Sequence, residues 1–142
     1  MSIPALQAGD PLRIVVEAYP GVLARHLIGR ASYKTDDKKQ QTGELRDWRR
    51  IMLGRILTGR IESLYGLRVE ASKHLDAMLD DPSGDEIDSL LCAIQAAWAW
   101  SMKDRNYGTP AGADSRLEGW IADPIANPPD RERAARARPD SP

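Results

Sequence analysis

Ile14, Val15 and Val16 form an unbroken β-branched run inside the stretch LRIVVEAYPG at residues 12–21. Such a run has the composition of a strand buried on both faces, because branched side chains fit a pleated surface and parallel sheets are covered above and below. Period-two alternation over residues 12–18 sets Leu12, Ile14, Val16 and Ala18 on one face and Arg13, Val15 and Glu17 on the other. A strand of this kind needs hydrogen-bonding neighbours. Only eleven residues precede it, and little after it reads as a partner. The expected fold class is therefore α/β, mostly helical in this chain, with one strong strand, one or two weak ones, and an incomplete sheet.

At 142 residues the chain suits one domain, and 42% hydrophobic with 29% charged residues indicates a globular protein. A single cysteine, Cys92, excludes an intrachain disulfide framework and a cysteine-based zinc site. The start, MSIPALQAGDPL, lacks a secretory signal, and the nearly apolar run at residues 90–100 is too short to span a bilayer and contains Gln95. The expectation is a cytoplasmic protein without a membrane. Residues 25–60 carry an excess of six positive charges and residues 61–90 an excess of six negative ones. These segments either pack together or set a phosphate-binding surface beside a metal-binding cluster.

Beyond the strand, Pro20 suits the first position of a helix carrying Val22, Leu23 and Leu27 and stopping near Gly29. A polar mobile loop follows to Gly43. A long helix is expected over residues 44–64, with rows Leu45, Trp48, Met52, Ile56 and Leu53, Leu57, Ile61, Leu64 that Gly54 and Gly59 weaken but do not break. Residues 65–70 read as a weak strand and 72–79 as a brief helix. Ser83 and Glu86 have capping-box spacing ahead of a helix running to about Met102. Its small residues Cys92, Ala93, Ala96, Ala97 and Ala99 would let it lie close against a sheet. Residues 1–11 form a ragged entry, 12–125 the domain, and 126–142 a disordered tail without core-forming residues.

Three carboxylates stand out. Glu17 ends an apolar strand, where ligands collect in α/β sheets, although a surface glutamate, or one paired with an arginine, is by itself the better explanation. Asp85 and Asp88 lie three apart on one helix face. Asp85 and Glu86 fit a first turn, where acids offset the macrodipole. Asp88, among Ile87, Leu90 and Leu91, is costly unless paired or metal-bound. A strand-end glutamate with helical aspartates is the donor set that hard Mg²⁺ or Mn²⁺ ions require in phosphodiester hydrolysis. Arg46, Arg49, Arg50, Lys38 and Lys39 could touch a nucleic-acid backbone, or simply form a solvated face. His26 and His74 are isolated, and Cys92 reads as packing.

Residues 14–25 (IVVEAYPGVLAR), 27–30 (LIGR), 33–36 (YKTD), 81–98 (DPSGDEIDSLLCAIQAAW), 107–110 (YGTP) and 118–121 (EGWI) resemble, in order, a bacterial domain-of-unknown-function family of predicted nucleases with a ribonuclease H-like fold. The resemblance implies a catalytic, metal-binding Glu17, a last-helix Asp88 with Asp85 one turn earlier, and Mg²⁺ or Mn²⁺ as cofactor. It also exposes a departure, because that fold opens with three strands, the first bearing an aspartate, and nothing before Leu12 matches them. The chain resembles the C-terminal half, a truncated form expected to be inactive alone and to depend on a missing N-terminal half or self-association. The alternative is a non-catalytic interaction or remnant module that pairs an open strand edge with another chain.

Overall fold

The structure, a computed structural model, describes residues 15–110 and 119–125. The expected ragged entry, the first residues of the strand and the tail lie outside the described residues. Among the described residues the chain is mostly helical and forms no sheet, which overturns the α/β, ribonuclease H-like expectation. Where a doubly buried strand was expected, the only β pairing among the described residues is one parallel bridge, Glu17 to Ile121, and Val15 is 65% exposed. A β-branched run records what fits a pleated surface. It cannot supply neighbours, and the remaining segments have helical period.

Two compact units divide the described chain, and their boundary falls inside its longest helix. Residues 20–94 make the first unit. Helix α1 (Pro20–Ile28) starts on a proline, whose fixed φ suits a first turn, and buries Leu23, Ala24, Leu27 and Ile28. Helix α2 (Gly43–Arg55) packs against both α1 and α4 (Leu75–Asp80). Leu23, Leu27, Met52, Ile56, Ile61, Ile87 and Leu91 are almost entirely buried, each contributing about 2 kcal/mol by removal from water.

The long helix expected over residues 44–64 is broken. Thr58 and Gly59 leave helical geometry, with Gly59 at φ 92°, and the Thr58 hydroxyl donates to the Gly54 carbonyl at 2.7 Å. Glycine has no Cβ to oppose a left-handed φ, so the apolar rows continue across a kink that periodicity does not report. Helix α3 (Ile61–Tyr65) resumes and ends at Gly66, φ 66°, whose N–H donates to the Glu62 carbonyl. That left-handed cap leaves no strand at residues 65–70.

The second unit contains residues 15–19, the end of α5 (Asp85–Ser101) from Gln95, and the described residues that follow. Trp98 and Ala99 are buried, whereas Ala96, Ala97 and Trp100 face solvent. After α5 the chain turns through Asn106, Tyr107 and Gly108, all at positive φ, and Gly108 lies so close to the Trp98 ring that no Cβ fits there.

Candidate functional site

The approach to α5 fixes the acidic residues. Asp81, not Ser83, caps this helix: its Oδ2 accepts from the Glu86 N–H at 2.9 Å and its Oδ1 from the Ser83 N–H and hydroxyl at 3.0 and 2.5 Å. Burial alone would raise the Asp81 carboxyl, but the Ser83 hydroxyl and the N–H groups of Glu86, Ser83 and Gly84 outweigh it and hold it below the usual carboxylate range. Ser83 thus serves the cap as a donor, and the expected Ser83–Glu86 box is replaced by an aspartate two residues earlier.

Asp88 lies in the first turn of α5, where the macrodipole favours a negative charge. Its Oδ1 accepts from the Tyr33 hydroxyl and its Oδ2 from the Lys34 ammonium, both at 2.5 Å. The hydrogen bond to Asp88 raises the Lys34 pKa, burial opposes the rise, and the charges of Asp88, Asp85 and Asp36 reinforce it. The supposedly mobile loop is pinned at this point. Tyr33 is 7% exposed, its carbonyl accepts from Arg49 Nη1 at 2.8 Å, and Thr35 N–H donates to the Pro82 carbonyl. Gly84, at φ 75°, sits where an added Cβ would approach Lys34 Cβ to 2.8 Å.

Asp85 is exposed near this pair. Glu17 belongs to the other unit and is exposed. Its carboxylate rests against the Gly119 backbone, and its carbonyl accepts from the Ala122 N–H at 2.8 Å. Beside it, Gln95 is fully buried. The Tyr19 N–H donates to Gln95 Oε1 at 2.9 Å, while Gln95 Nε2 donates to the Tyr19 carbonyl at 3.3 Å and to Asp123 Oδ2 at 2.8 Å. Asp123 Oδ1 accepts from the Ile125 N–H at 2.8 Å. Neither Gln95 nor Asp123 was singled out from sequence. A lone amide inside an apolar helical run was the available signal, since burying it demands partners.

The basic residues that could touch a nucleic acid, or form a solvated face, are largely engaged within the protein. Arg49 is 4% exposed and donates through Nε to the Leu79 carbonyl at 2.9 Å as well as to Tyr33. It therefore cannot present its guanidinium to a phosphate. Arg46 pairs with Asp80 at 2.8 Å and Arg50 with Asp47. Lys38 and Lys39 are exposed in a short turn that Asp37 caps. Lys34–Asp88 and Arg46–Asp80 both join the basic segment to the acidic one, so here the opposed charge excesses pack together. Burial pushes the Cys92 thiol up, keeping it protonated and consistent with a packing role.

These side chains do not fit the metal pair that the family resemblance implies. Both oxygens of Asp88 are taken by Tyr33 and Lys34, with an ammonium where a cation would be needed. Among the described residues no group of three His, Cys, Asp or Glu side chains is placed to hold a metal ion. Nor, among them, is any helix long and apolar enough to cross a membrane. Comparison with protein-family models, with curated proteins and with solved structures finds no match.

Proposed function

We propose that this chain is a non-catalytic relative of the nucleases it resembles and acts by pairing an extended segment with another polypeptide. The observation that supports this reading is the state of Asp88, the carboxylate with the strongest case for catalysis. A buried tyrosine hydroxyl and a lysine ammonium consume both its oxygens, so it ties the Tyr33–Lys34 loop to α5. Val15 and Tyr19, exposed on either side of Glu17, provide a surface for the pairing role.

One observation favours the second reading, a metal-dependent nuclease. Residues 33–36 and 81–98 both carry the family resemblance, and Tyr33, Lys34 and Asp88 converge from them across more than fifty positions. The two readings separate in one assay. Purified chain is incubated with single-stranded DNA, duplex DNA and RNA in Mg²⁺ or Mn²⁺, beside Asp88→Asn. The pairing reading expects no cleavage and no saturable metal binding by calorimetry. Cleavage that Asp88→Asn abolishes would install the nuclease in its place.

A further inference from the structure

The segment around Glu17 has two hydrogen-bonding edges. Along an extended chain, alternate residues aim their N–H and C=O groups to opposite sides. Glu17 and Tyr19 aim theirs at Ala122 and Gln95: the Glu17 carbonyl accepts from the Ala122 N–H, and both Tyr19 backbone groups are held by the Gln95 carboxamide. That amide replaces a neighbouring strand, leaving the segment anchored on one side with little sheet behind it. Val16 and Ala18 aim the other way. Their N–H and C=O groups make no hydrogen bond among the described residues, although both residues are half-buried and sit in the anchored segment. Exposure alternates along it, with Val15, Glu17 and Tyr19 out and Val16 and Ala18 partly in.

We propose that the Val16–Ala18 edge receives an extended peptide bearing a basic residue opposite Glu17. This rests on the pairing reading and names its partner. Backbone groups without a hydrogen bond among the described residues, here four on Val16 and Ala18, are what strand addition requires, and alternate side chains then supply specificity. The charge follows from Glu17, which is exposed and forms no ion pair among the described residues. Flanked by exposed Val15 and Tyr19, it selects a cation between two apolar residues, since opposite charges on facing positions attract and like charges repel.

The test is a titration of full-length chain with two seven-residue peptides, alternating Val and Thr, that differ only in a central Lys or Glu. Nuclear magnetic resonance should show saturable shifts of the Val16 and Ala18 amide protons, with the Tyr19 amide, already held by Gln95, moving least. The Lys peptide should bind about fivefold more tightly than the Glu peptide. The charge reversal Glu17→Lys, with its fold checked by circular dichroism, should invert that order, and Ala18→Pro should abolish binding of both. Equal affinity of the two peptides, or shifts centred elsewhere, would overturn the proposal. Strand binding without charge preference leaves the pairing reading standing, whereas that reading itself fails only in the cleavage assay.

Discussion

The Gln95 side chain holds Tyr19 by both of its backbone groups, accepting from the N–H at 2.9 Å and donating to the carbonyl at 3.3 Å. A single amide thereby does what a strand residue does in a sheet, and its remaining hydrogen reaches the buried Asp123 carboxylate. This explains how the segment at residues 15–19 can be held with one bridge beside it among the described residues.

Gln95→Leu keeps the volume but removes the hydrogen bond that Gln95 Nε2 donates to the buried Asp123 carboxylate. Water can replace the amide at exposed Tyr19, so most of the cost falls on Asp123. Urea unfolding should show a loss of about 1–3 kcal/mol. A change below about 0.5 kcal/mol would mean that Gln95 does not anchor the segment.

Asp88→Ala should cost about 1–3 kcal/mol, chiefly by removing the carboxylate to which the buried Tyr33 hydroxyl donates. Lys34→Met should cost under about 1 kcal/mol, because that ammonium is well solvated and screened. The Lys34 pKa is raised in the folded state, so its share is complete at neutral pH. It fades only as pH climbs through the raised value. Equal losses in the two variants would assign the clamp to the ion pair instead of the tyrosine.

Asp81→Ala should destabilise by about 1 kcal/mol through loss of the α5 cap. The folded Asp81 carboxyl lies below its ordinary value of 3.8, so its contribution is present above that pH. It drains away as pH falls through the lowered value. The stability gap between wild type and variant should be full at pH 6 and narrow below about pH 4. A gap indifferent to pH would show that the cap does not depend on ionisation.

Arg49→Met should lower stability by about 2–3 kcal/mol, since it strips donors from the Leu79 and Tyr33 carbonyls. Arg49→Lys should recover little, because a point ammonium cannot span two carbonyls as a planar fork does. Both effects are readable as shifts in thermal midpoint. Recovery of most of the loss by lysine would indicate that charge alone matters at this position.

Some of this was legible in the sequence. Helical period placed α1 and α2 and named Leu23, Leu27, Met52, Ile56 and Ile61 for burial, because one-sided apolar spacing reports a buried face wherever that face is covered. The cost of a lone carboxylate also singled out Asp88. Its partners were not legible, since Tyr33 and Lys34 lie more than fifty residues away and contact is a property of folding, not of spacing. The same limit misplaced the sheet. Residues 15 and 16 carry a strand's propensity, but whether a strand finds neighbours depends on hydrogen-bonding groups elsewhere in the chain. Here a glutamine side chain and one bridge supplied them, so tertiary structure decided what local composition could only permit.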